Sequence, residues 1–197
     1  MKKKSLKLNI VLVEPNGPMN VGSIARLCSN FDVNELRIVA PKCDIFSLEA
    51  KKMALKGHRY IDNCKIFNTI EQAIFDCDLV LATCGRIDLS NDIECESPED
   101  ISKWISSFVE INNLGILFGR EDRGLSNNEL LFAHKILNIK TSQNYPSLNL
   151  SHAVSIILYE LNKFSTNNLE KDLQVFDLAS SKPVSYTHLT LPTKRIV

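Results

Sequence analysis

Six short runs carry the strand signal of this chain: Leu8–Val13, Leu36–Ala40, Cys64–Phe67, Leu79–Thr83, Gly115–Phe118 and Ile136–Ile139. Several are continuously apolar rather than alternating, the pattern of strands buried on both faces of a parallel sheet. Between the runs the period changes to that of a helix. Placed at 100° per residue, Val21, Ile24, Ala25, Leu27, Cys28 and Phe31 form one broad apolar face. Helix starts are marked as well. Asn68-x-x-Glu71 and Ser126-x-x-Glu129 read as capping boxes, and Ser97 before Pro98 reads as an N-cap followed by proline at the first helical position. The strongest helix starts at Leu150. Ala153, Val154, Ile157, Leu158 and Leu161 recur at three- and four-residue spacing, with Lys163 near its end. Strands alternating with helices predict an open, mostly parallel α/β sheet with helices on both faces.

The length of 197 residues suits one such domain. It is expected over residues 1–164. Residues 165–184, which start with the polar stretch S-T-N-N-L-E-K-D, read as a linker or truncated extension, and 185–197 as a non-native or disordered tail. Composition is that of a soluble globular protein, 44% apolar and 23% charged. Net charge is zero, so any contact with nucleic acid must come from a local patch. Lys2, Lys3, Lys4 and Lys7 are one candidate, although a solvated terminus explains them more simply. Six cysteines show no Cys-x-x-Cys spacing and no pairing with histidine, so no metal site is expected. They read as reduced thiols of a cytoplasmic protein. No secretory signal and no membrane-spanning run are evident.

Four segments carry candidate chemistry. The first, E-P-N-G-P-M-N-V-G-S-I-A-R, is a strand–loop–helix with Arg26 on the polar side of the helix. Gly22 lies one turn before Arg26, so the guanidinium is expected to lean back over a residue without a side chain, toward the anion-favouring helix N-terminus. An ordinary surface arginine is an equally good reading of that segment alone. The second, L-A-T-C-G-R, places Thr83, Cys84 and Gly85 at the carboxyl end of a strand, where open α/β sheets bind ligands. The third, L-F-G-R-E-D-R-G-L-S, brackets a charged loop between Gly119 and Gly124. Its glycines allow close backbone approach, and Glu121 is placed either to accept bonds from a ligand or to order a neighbouring loop. The fourth, N-Y-P-S-L-N-L-S-H-A-V, gathers Ser147, Asn149 and Ser151 ahead of the strongest helix, more than one cap requires.

In their order, N-V-G-S-I-A-R (20–26), F-G-R-E-D-R-G-L (118–125) and S-L-N-L-S-H-A-V-S-I-I-L-Y-E (147–160) resemble the three motifs of the SpoU-type, or TrmH-like (SPOUT), RNA 2′-O-ribose methyltransferases. The wording around Glu14–Arg26 is most similar to the TrmJ-type enzymes, which act on the ribose at position 32 of the tRNA anticodon loop. The resemblance implies a C-terminal deep trefoil knot, a homodimer, and S-adenosyl-L-methionine held by Thr83, Cys84, Gly85, Gly119, Glu121, Gly124, Ile139, Pro146, Ser147, Leu148 and Asn149. It implies that Asn20–Arg26 faces the RNA, with Arg26, Asn20, Ser147 and Asn149 serving the reaction. Alternatives are the same chemistry on ribosomal RNA or on the tRNA wobble ribose, and a non-catalytic RNA-binding protein of the same fold. A Rossmann-type enzyme is disfavoured, because P-N-G-P-M-N-V-G follows the first strand in place of Gly-x-Gly-x-x-Gly. The chain departs from the family at Asp32, where glycine is common, and at Cys84-Gly85, where small polar residues are expected. Asp tolerates a left-handed backbone, so little effect is expected from the first.

Overall fold

The computed structural model describes residues 6–85, 95–108 and 111–177. Among the described residues the seven strands are β1 (Lys7–Val13), β2 (Glu35–Val39), β3 (Lys65–Phe67), β4 (Leu79–Thr83), β5 (Cys95–Glu96), β6 (Asn113–Phe118) and β7 (Lys135–Leu137). They form one sheet in the order β3-β2-β1-β6-β4-β7-β5, and every pairing is parallel. The helices are α1 (Pro18–Asn30), α2 (Leu48–Ala54), α3 (His58–Asp62), α4 (Ile70–Ile74), α5 (Pro98–Ser106), α6 (Asn127–Leu130) and α7 (Leu150–Asp177). The chain divides into two units, Met1–Phe164 and Ser165–Val197, and the whole sheet lies in the first. In the second, the segment read as a linker is helical as far as Asp177. The suspected tail, 185–197, lies outside the described residues, as do Arg86 and Lys2–Lys4.

The continuous apolar runs have the expected cause. In β1, Ile10 and Leu12 face one core while Val11 and Val13 face the other, and β4 and β6 divide in the same way. One face is covered by α1, α2 and α7 through Val21, Ile24, Ala50, Val154, Ile157 and Leu158. The other is covered by the short α4 and α6 through Ile70, Ala73 and Leu130. All six predicted strands are present, with ends shifted by at most two residues. The two-residue β5 is an addition, too short to show a period.

The caps test the reading residue by residue. Ser126 and Glu129 form the reciprocal box, and Ser97 caps α5 ahead of Pro98. At α4 the cap is Thr69, not Asn68: its hydroxyl accepts from the Gln72 N–H, while the Gln72 side chain accepts from the Asn68 N–H at 3.2 Å. Asp32 is left-handed at φ 48°, as its place after α1 predicts. The next residue, buried Val33, donates its N–H to the Cys28 carbonyl at 3.0 Å and closes the helix end.

Arg37 in β2 is buried and donates to the Ala73 carbonyl at 2.6 Å, to Glu35 at 2.9 Å and to Asp76 at 2.9 Å. Burial opposes its charge, but these carboxylates outweigh that and hold the guanidinium above its ordinary value. Arg37→Met is expected to cost about 3 kcal/mol, the low end for breaking a buried pair, because Glu35 and Asp76 still reach solvent. Urea unfolding checks this, and an unchanged midpoint would contradict it.

Candidate active site

The carboxyl ends of β4, β6 and β7 and the start of α7 open onto one cavity of about 420 Å³, a volume typical of small-molecule sites. Three strand-end segments line it. Thr83 ends β4 and Cys84 and Gly85 follow it; Gly119 through Leu125 follow β6; Ile139 and Pro146–Leu148 follow β7. Leu150 and Ala153 of α7 complete the wall. The cofactor residues expected from the resemblance therefore meet at one place, except Asn149, which is not in the lining.

The strand ends are locked to one another. Thr83 donates its hydroxyl to the Leu117 carbonyl at 3.1 Å. The Cys84 N–H donates to the Leu137 carbonyl at 2.9 Å, and the Asn138 amide donates to the Cys84 carbonyl at 2.8 Å. The loop after β6 folds tightly on itself, the Gly124 N–H meeting the Arg120 carbonyl at 2.9 Å. A Cβ on Gly119 would lie 2.2 Å from the Gly124 carbonyl carbon, so glycine is needed there for close approach. Gly124 is needed for a different reason, its φ of 68°.

Glu121 joins the motifs. Its carboxylate accepts from the Asn16 N–H at 2.9 Å, the Gly17 N–H at 3.0 Å and the Asn20 Nδ2 at 3.0 Å. Partial desolvation would raise its carboxyl, but the Asn20 amide and the two backbone donors outweigh that and hold it below the usual carboxylate range. Because Asn20 spends its NH₂ on Glu121, its Oδ1 points the other way and accepts from Asn149 Nδ2 at 3.1 Å. Asn149 Oδ1 in turn accepts from the Ser151 N–H at 2.9 Å and the Ser151 hydroxyl at 2.7 Å, capping α7. One chain of hydrogen bonds thus links all three motif segments. Of the two roles open to Glu121 in the sequence, it fills the ordering of a neighbouring loop.

Glu14, which sequence reasoning missed, forms a second junction. It ends β1 in the left-handed region at φ 49°. It accepts from Lys42 at 3.1 Å, Arg120 at 3.1 Å and Arg123 at 3.3 Å, and the other arm of Arg120 holds Asp122 at 2.8 Å. Lys42 leads in holding the Glu14 carboxyl low, with Arg120 assisting against desolvation. No local pattern marks this residue, since its partners lie up to 109 positions away.

Arg26 departs from expectation. Helix α1 starts at Pro18, so Arg26 lies in its third turn, beyond the anion-favouring first turn. The anion at the helix entrance is the protein's own Glu121. Gly22 does not clear a path for the arginine. A Cβ there would lie 2.2 Å from the Ala50 carbonyl, so Gly22 is where α2 packs directly on α1. Arg26 is exposed and is not in the cavity lining. It stands six residues beyond Asn20, about 9 Å along the axis and about 120° around it. Of the four residues expected to serve the reaction, Asn20 and Asn149 touch, Ser147 lines the cavity, and Arg26 stands apart.

Comparison with known proteins gives a consistent pattern. The SpoU rRNA Methylase family matches residues 7–159. The tRNA (cytidine-2′-O-)-methyltransferase TrmJ of Methanocaldococcus jannaschii is 40% identical over 173 residues, covering 84% of this chain and 74% of that protein. The same enzyme of Sulfolobus acidocaldarius is 40% identical over 157 residues, covering 79% and 65%. Among solved structures, TrmJ from Z. mobilis ZM4 superposes with a TM-score of 0.73 at 29% identity, covering 87% of this chain and 81% of that one. The SpoU methyltransferase AviRb of Streptomyces viridochromogenes, in complex with AdoMet, shares the fold at a TM-score of 0.64 and 18% identity, covering 84% of this chain and 63% of that one.

Proposed function

We propose, since the chain belongs to the SpoU rRNA Methylase family, that it transfers a methyl group from S-adenosylmethionine to a ribose 2′-oxygen of tRNA. The observation that carries the reading is the bonded chain Glu121–Asn20–Asn149, which ties three distant motif segments together beside one cavity. Position 32 of the anticodon loop is the expected target.

The cavity residues fit the cofactor. The volume suits a small molecule, Leu125, Leu137 and Leu148 give an apolar wall, and Gly119 and Gly124 line the space without side chains. Thr83–Gly85, Gly119–Gly124, Ile139 and Pro146–Leu148 would hold it, with Asn149 supporting from behind. When bound, S-adenosylmethionine supplies an electrophilic methyl whose departure leaves a neutral thioether. The protein is left to position the ribose and manage charge. Asn20, fixed at both ends of its amide, holds the loop on which the RNA rests. Arg26 orients an RNA phosphate and stabilises the developing alkoxide while the 2′-hydroxyl proton passes to solvent water.

Arg26 can do this only from outside its own cavity, which is why we read the active form as a homodimer. Met19 is 54% exposed on the same stripe of α1 as Arg26, and Ile156 and Tyr159 are exposed on α7. A partner covering these faces would bury apolar surface and bring Arg26 to the second subunit's site. The deep trefoil knot belongs to the same reading. Its support is the insertion of β6 between β1 and β4, and of β7 between β4 and β5.

Arg26→Ala is expected to abolish methyl transfer while S-adenosylhomocysteine affinity and the dimer persist. Calorimetry and sedimentation check both. Loss of cofactor affinity in the folded variant would contradict the role.

A further inference from the structure

We infer that the basic segment from Lys51 to Arg59, packed beside Arg26, is a phosphate-binding surface for the RNA substrate; this rests on the function proposed above. Residues 50–59 read A-K-K-M-A-L-K-G-H-R, with four cations and no acidic side chain in a protein of zero net charge. Lys51, Lys52, Lys56, His58 and Arg59 are all exposed.

Packing fixes where this segment lies. Ala50 and Met53 sit against Gly22, and the backbone at Gly57 sits against Arg26, since a Cβ on Gly57 would lie 2.7 Å from the Arg26 Cα. Lys56 and His58 flank that glycine. Two close backbone contacts therefore hold the segment on the side of α1 that carries Arg26, away from the side where Asn20 meets Glu121.

Pairing distinguishes this cluster from the cations gathered around Glu14 and Glu35. Lys42, Arg120 and Arg123 are held by Glu14, and Arg37 and Lys65 by Glu35. Among the described residues no ion pair engages Arg26, Lys51, Lys52, Lys56 or Arg59. Arg59 lies over the Tyr60 ring, 5.1 Å from its centroid, an arrangement that leaves its charge open to an anion. Acidic neighbours stand at the margins: Glu49 in the first turn of α2, Asp62 at the end of α3, and Asp32 and Glu35 across the surface cavity that Arg59 lines. Lys51, Lys52 and Lys56 line neither this cavity nor the one at the strand ends and are spread along the surface, an arrangement that suits a polyanion backbone rather than a small anion.

The test is the triple variant Lys51→Gln, Lys52→Gln and Lys56→Gln, with Lys103→Gln as a control at an ordinary surface pair. Binding of an unmodified tRNA transcript is followed by fluorescence anisotropy across a potassium chloride series. Circular dichroism verifies the fold, and calorimetry with S-adenosylhomocysteine verifies the cofactor site. The triple variant should bind the transcript at least tenfold more weakly at low salt and raise KM more than it lowers kcat. Its log–log salt slope should flatten by roughly two to three units, about 0.7–0.9 for each of three lost phosphate contacts. The control and cofactor binding should be unchanged. Native affinity and slope in the triple variant would overturn the surface while leaving the proposed function standing. Cofactor binding by the native protein without any tRNA binding would overturn both.

Discussion

Replacing Glu121 with alanine is expected to lower methyl transfer at least 100-fold, about 2.7 kcal/mol in activation free energy, with little loss of stability. The carboxylate is exposed, so its bonds to Asn16, Gly17 and Asn20 contribute about 1 kcal/mol or less to folding. What it fixes is direction. Without it the Asn20 amide is free to rotate, and Asn149 loses the acceptor that links α7 to α1. A merely structural role would lower stability and activity together, whereas positioning lowers kcat in a protein that melts almost as before. The pH dependence has a definite sign. The folded-state pKa lies below the unfolded one, so the stabilisation is complete above the unfolded carboxylate value of about 4.3 and is lost as pH falls through the depressed folded value. The small stability gap between native protein and Glu121→Ala should therefore be constant near neutrality and close in acid. A gap that widened on acidification would contradict the assignment.

Gly119→Val is the second large effect. Its Cβ would lie 2.2 Å from the Gly124 carbonyl carbon and 2.3 Å from the Leu125 nitrogen, both backbone atoms that no side-chain rotation relieves. The loop must open, which costs about 1–3 kcal/mol as overpacking and deforms the cavity wall. Cofactor affinity should fall at least tenfold in calorimetry. Gly85→Ala is the counterpart, because nothing lies within 4 Å of its Cβ, and it should leave stability unchanged. Native cofactor affinity in Gly119→Val would refute the placement of this loop in the site.

These two residues mark the reach of the sequence. Gly119 and Gly124 announce a tight loop because φ and close approach are local demands that only glycine meets easily. The strands were legible for a similar reason: a strand covered on both sides must be apolar at every covered position, and Leu79–Ala82 needs no partner to show it. Strand order was not legible, because pairing β6 with both β1 and β4 is a long-range choice that leaves no trace in either run. Gly22 was misread for the same cause. Its contact is Ala50, outside its own helix, and local helical geometry offered Arg26 as the nearer explanation. Glu14 shows the limit most clearly, since it is one acidic residue in a loop until Arg120 and Arg123, more than a hundred positions away, are in place; for Glu121 the loop-ordering role was legible but its partners Asn16, Gly17 and Asn20 were not.

Mass spectrometry of nuclease-digested tRNA after incubation with the protein and S-adenosylmethionine tests the central claim most directly. The account predicts one added methyl group, on a ribose of the anticodon loop, absent when Arg26→Ala replaces the native protein. No methylation by cofactor-bound protein, or a methyl placed on a base, would contradict it.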